Sequence, residues 1–171
     1  MAPHLPPTAN ASGPPPGEDA AALIDHILDR YHLRHREQFA GLIRLARAVE
    51  QRHARHPDCP TGIAELLCDV QQALESHMRK EEQVLFPLLA RGGAGAQAPI
   101  AVMRMEHGQH RAALTRLEAL AHGMTPPADA CASWRELYAG LRDFRDDLAE
   151  HMRLEDDVLF AGAPARPGPH G

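Results

Sequence analysis

The segment SHMRKEEQVLF at residues 76–86 returns as EHMRLEDDVLF at 150–160, an offset of 74 that pairs His77 with His151, Glu81 with Glu155 and Phe86 with Phe160. A second correspondence sets YHLRHR at 31–36 against EHGQHR at 106–111. At an offset of 75 it pairs His32 with His107, His35 with His110 and Arg36 with Arg111. A chain that carries two such segments twice, in the same order, is constrained to fold as two related hairpins about a pseudo-twofold axis. The clusters HPDCPTG at 56–62, RGGAGAQAP at 91–99 and HGMTPPAD at 122–129 are turn-formers that cut the chain into four pieces.

Each piece shows apolar residues at threes and fours, the spacing of a helix with one buried face. Leu23, Ile27, Tyr31, Phe39 and Leu42 mark the first, and Leu67, Val70, Leu74, Met78 and Val84 the second. Val102, Met105, Leu114 and Leu117 mark the third, and Trp134, Leu141, Phe144, Leu148 and Met152 the fourth. Long helices joined by short connections become antiparallel neighbours, so the expected fold is an all-α, up-down-up-down four-helix bundle. It should occupy residues 19–161, between a disordered Pro-rich tail at 1–18 and a disordered tail at 162–171. Pro87 should kink or end the second helix, and Met78, Met103, Met105 and Met152 should fill the core.

At 171 residues the chain suits one domain. A net charge of -5 offers no basic field for nucleic acid or an anionic membrane, so neither is an expected partner. No apolar run reaches the length of a membrane span. Three cysteines without a C-x-x-C pair fit a reducing compartment, and a cytoplasmic location is expected.

The outlying number is twelve histidines. Residues four apart on a helix share a face, so His77 with Glu81, and His151 with Glu155, can each turn an imidazole and a carboxylate toward one ion. One His-x-x-x-Glu pair is ordinarily a solvated contact worth about 0.2–0.5 kcal/mol. Two copies in matched apolar settings, with one further histidine each from helices one and three, point instead to a pair of metal ions bridged by two carboxylates. His32 and His107 are the proposed single ligands. His35 and His110 lie three residues on, able to replace them after a modest rotation, and are better read as neighbours that hydrogen-bond to ligands. The mixed imidazole and carboxylate set suits iron, with manganese as the alternative. Glu82, Asp156 and Asp157 adjoin the paired carboxylates but project about 100° or more around the helix, so they are expected at the surface. Glu106 is either a surface charge or a partner standing behind a ligand. His53, His56 and His122, beside loops, should face solvent.

The segments IDHILDRYHLRHREQ, LESHMRKEEQVLFPLL, VMRMEH, TPPADACASW and HMRLEDDVLF resemble the hemerythrin-like domain of the Repair of Iron Centres family, over residues 23–160. The resemblance implies a non-heme di-iron centre with an oxo or hydroxo bridge, held by His32, His77, Glu81, His107, His151 and Glu155. Oxygen-carrying hemerythrins have a fifth histidine in a His-x-x-x-His pair, whereas Arg111 stands four residues after His107 here. Each iron would then keep an exchangeable position. The implied role is to help repair iron-sulfur clusters damaged by nitrosative or oxidative stress. Nitric oxide or oxygen would be the small ligands, and damaged iron-sulfur proteins or a scaffold the partners. A gas binder or sensor and a di-iron nitric oxide reductase are the alternatives that share the site. Family members often carry a short N-terminal domain with a cysteine pair; a Pro-rich stretch stands there in this chain, and the hemerythrin-like domain is expected to stand alone.

Overall fold

The computed structural model describes residues 16–164, which hold helices and no strand. The α-helices are α1 (Pro16–Ile27), α2 (Leu33–Arg52), α3 (Ile63–Lys80), α4 (Phe86–Ala90), α5 (Gln97–Leu120) and α6 (Ala132–Leu154). Three π-helical segments extend them. Leu28–His32 fuses α1 to α2, Glu81–Leu85 fuses α3 to α4, and Glu155–Leu159 prolongs α6. The result is four long rods in up-down-up-down order, with α2 packed on α3 and α6, and α3 on α5.

In each π segment a backbone N–H reaches five residues back instead of four: Leu33 to Leu28, Phe86 to Glu81, and Phe160 to Glu155. Such segments hold one residue more per turn than an α-helix and concentrate at functional sites. All three lie at one level of the bundle, each bounded by a proposed ligand: His32, Glu81 or Glu155. Only the rod of His107 is regular α-helix there.

The interior has two apolar parts. The larger, built on Phe39, Leu67, Leu74, Leu117, Trp134, Leu141 and Phe144, fills most of the bundle. The smaller caps one end with Ile24, Ile27, Leu85, Phe86, Leu89, Ile100, Met103, Leu159 and Phe160. Between them lies a buried polar layer of His32, His35, His77, Glu81, His107, His110, His151 and Glu155. These eight are the buried polar or charged residues among those described.

Several expectations need correction at the capped end. Pro87 does not stop the second rod at once; it sits at the start of α4, directly after the π turn, and the rod runs on to Ala90. Val84, Val102 and Met105, read as inward-facing, are exposed, Met105 at 58%. The extra residue in the Glu81–Leu85 turn carries Val84 round to solvent and brings Leu85 and Phe86 inward. On α5 the buried stripe runs through Ile100, Met103, His107 and His110, so that Val102 and Met105 fall on the opposite side. Residues 1–15 and 165–171 of the expected tails lie outside the described residues; Pro16–Glu18 open α1.

Candidate metal centre

Each rod delivers its polar residues to the layer by ordinary helical spacing. His77 and Glu81 sit one turn apart on the second rod, with Nε2 3.2 Å from Oε1. His151 and Glu155 do the same on the fourth, with Nε2 3.0 Å from Oε1. His32 brings its Nε2 to 3.3 Å from Glu81 Oε2, and His107 its Nε2 to 3.1 Å from Glu155 Oε2. The structure thus brings together all six residues singled out from the sequence. They form two groups, His32, Glu81, His151, Glu155 and His77, Glu81, His107, Glu155, whose donor atoms lie within 4.8 Å of one another. Both glutamates belong to both groups.

The donor set fits a cation better than it fits itself. His32 Nε2, both oxygens of Glu81 and Oε2 of Glu155 are buried and have no hydrogen-bond partner, although nitrogen and oxygen stand 3.1–3.3 Å apart. The Nε2 atoms of His77 and His107 face each other at 3.2 Å. His32 Nε2, the Glu81 oxygens and Glu155 Oε2, near nitrogen or oxygen yet not aligned for hydrogen bonds, are arranged as ligands are around a shared ion. Electrostatics agree, because buried carboxylates without compensating charge cost several kcal/mol each. Burial and the neighbouring Glu155 carboxylate push Glu81 well above the ordinary carboxylate range. Burial acts on Glu155 in the same direction, but His151 and His107 outweigh it and hold that group below the ordinary range. Two carboxylates in one dry volume resist ionising together, and divalent cations remove the conflict.

The ring nitrogens that face away from the centre are also engaged. His32 Nδ1 lies 2.8 Å from Glu82 Oε1, His77 Nδ1 2.9 Å from Glu106 Oε2, and His107 Nδ1 3.0 Å from Asp156 Oδ1. Arg36, Lys80 and Arg111 in turn pair with Glu82, Glu106 and Asp156. A carboxylate behind a ligating histidine fixes its tautomer and makes it a stronger donor. His151 differs: its Nδ1 lies 3.2 Å from His35 Nε2. Burial, then the adjacent His151, lowers His35 to about 3; burial, then His77 and His107, does the same for His110. Phe86 stacks on His32 and Phe160 on His107, closing the layer from the apolar cap.

Glu82 and Asp156 are not the free surface charges the helix projection suggested. They turn away from the ligands of their own rod and reach a ligand on the neighbouring one. The sequence held a signal, since Glu82 and Asp156 match at the offset of 74 while Arg36 and Arg111 match at 75. His53 and His56 are also less free than expected, for both pack against Trp134.

The family model for the hemerythrin HHE cation binding domain matches residues 23–163. A Haemophilus influenzae protein named "Probable iron-sulfur cluster repair protein" is 46% identical over 141 residues, covering 82% of this chain and 63% of the relative. The iron-sulfur cluster repair protein YtfE of Citrobacter koseri is 46% identical over 146 residues, and that of Escherichia coli 44%. Each match covers 85% of this chain and 66% of the relative. The chain therefore spans slightly less than two-thirds of the length of these curated relatives. Among the described residues, no helix is long and apolar enough to cross a membrane.

Proposed function

Because the chain belongs to the hemerythrin HHE cation binding domain family, we propose that it is a cytoplasmic di-iron protein that assists repair of damaged iron-sulfur clusters. The observation that carries this reading is the pair of four-residue groups sharing Glu81 and Glu155 in an otherwise apolar interior. In it His32 and His151 would hold one iron and His77 and His107 the other, with Glu81 and Glu155 available to both. When bound, such a pair supplies redox-active coordination positions for a diatomic ligand such as nitric oxide or oxygen.

The chain's own residues set the conditions around it. Glu82, Glu106 and Asp156 orient three of the imidazoles through Nδ1, which leaves each Nε2 free to ligate. Phe86, Phe160, Leu85 and Leu159 keep bulk water from the layer, and a water-poor site strengthens every charge interaction within it. Four imidazoles and two carboxylates shared by two ions leave each ion short of six protein donors, which favours a reactive or labile pair over a saturated structural one. The repair role is supported by the 44–46% identity to proteins that carry that name.

The test begins with iron analysis of protein purified without added metal, where two irons per chain are expected. Glu81→Ala combined with Glu155→Ala should abolish both the bound iron and the reactivation of a nitric-oxide-damaged iron-sulfur enzyme. Retention of both properties in that variant would overturn the proposal. Formation of a stable nitrosyl without any reactivation would assign the site to gas binding instead.

A further inference from the structure

The two hairpins repeat each other at every proposed ligand, but not at every residue that stands behind one. Where the third rod carries Glu106, the matching residue on the first rod, at the offset of 75, is Tyr31. Glu106 accepts a hydrogen bond from His77 Nδ1. Tyr31 offers His151 no carboxylate and stacks on its ring, with centroids 5.3 Å apart and planes 7° from parallel. His35 then takes the place behind His151.

The hydrogen bonds of that substitute run one way. With its Nε2 turned to the centre, His151 donates from Nδ1 to His35 Nε2; His35 donates from Nδ1 to Gln38 Oε1 at 3.1 Å. Gln38 Nε2 donates to Asp147 Oδ2 at 2.8 Å, and Arg30 pairs with Asp147. A neutral imidazole and an amide therefore separate His151 from the nearest carboxylate in its chain. On the other side His110, the counterpart of His35, has no hydrogen-bond partner at Nε2, because Glu106 already occupies His77.

We propose that the two metal positions are inequivalent, and that the one held by His32 and His151 gives up its ion first, because His151 alone among the four histidines is backed by an uncharged relay. This rests on the two-iron reading above and assigns the labile position within it. His35 is a positioning residue that sets the strength of His151 as a donor, and Glu106 does the same for His77. A partner behind a ligating histidine is worth about 10- to 100-fold in metal affinity. The gap between the two positions should lie in that range.

The experiment follows stepwise removal of ferrous iron from the full chain by a competing chelator under anaerobic conditions, reading irons remaining per chain. Two steps separated by about 10- to 100-fold are expected. His35→Glu places a carboxylate behind His151 and should narrow the gap by slowing the first step. Glu106→Gln should narrow it from the other side by hastening the second, and this partly exposed, near-isosteric change carries the test if His35→Glu disturbs folding. His110→Ala should leave the gap as it is. Loss of both irons in one step from the unaltered chain, or a gap unmoved by His35→Glu and Glu106→Gln, would overturn the inference while leaving the two-iron reading intact. A chain that never holds two irons would overturn both.

Discussion

The two apolar parts of the interior differ in more than size. The larger is continuous and built from residues such as Leu74, Leu117, Trp134 and Phe144, each fully buried or nearly so. The cap is a set of ten residues that meets the rest of the interior only across the layer of histidines and glutamates. The larger part has the ingredients of a stable fold in its own right. The cap is joined to it through a layer in which burial and the Glu155 carboxylate oppose the ionisation of Glu81, a conflict that cations relieve, so stability and metal binding are unevenly divided along the bundle.

The sharpest way to break that division is to remove the charge conflict. Glu81→Gln with Glu155→Gln should eliminate tight metal binding altogether, the largest effect expected, as read by metal analysis. Free of metal, Glu81→Gln alone should be more stable than the metal-free natural chain in denaturant unfolding, because an uncharged amide replaces a carboxyl that burial and the Glu155 carboxylate push above its ordinary range. A less stable variant would show that the layer does not oppose folding. Next in size are matched truncations on either side. Leu74→Ala and Leu85→Ala, both at residues no more than 1% exposed, should each cost about 2–5 kcal/mol. They should differ in kind. Leu74→Ala should leave the rate of metal release unchanged, whereas Leu85→Ala should also hasten it, since water then reaches the layer.

Smaller again are the carboxylates behind the ligands. Glu82→Gln and Asp156→Asn should each weaken metal binding by about 10- to 100-fold in chelator competition, with little change in metal-free stability. The smallest effect belongs to Val84→Ser and Val158→Ser. Both residues are about half exposed, and substitution should alter stability by no more than about 0.5 kcal/mol. A cost of 1 kcal/mol or more would mean that the rods keep α-helical register through the layer.

The same contrast explains what could be read from the sequence. The larger core follows plain helical periodicity, so Leu67, Leu74, Leu141 and Phe144 announce their faces directly, and with them the four-helix bundle. Near the layer, the inward stripe is occupied by histidine and glutamate, and a search for apolar spacing steps past it. Apolar spacing alone therefore points Val102 and Met105 inward, whereas Met103 and Ile100 hold the buried face. The clustering of His32, His77, Glu81, His107, His151 and Glu155 was legible because the repeat doubles a spacing that would be ambiguous alone. The supporting carboxylates Glu82 and Asp156 were missed for a different reason: a helix projection treats one rod at a time, and these side chains serve the adjacent rod.

The π-helical turns carry a final consequence. In rotational terms each of three rods is two helices fused end to end with a phase step of about 100°, the angle that one residue subtends in an α-helix. Closing such a turn to α-helical winding, with no residue removed, would do little to the length of the rod and much to its far end. In the second rod it would swing the face that carries Leu85 toward water and the face that carries Val84 toward the cap, and in the fourth it would exchange Leu159 for Val158 in the same way. The ligand layer is thus the plane at which the two ends of the bundle are indexed against each other.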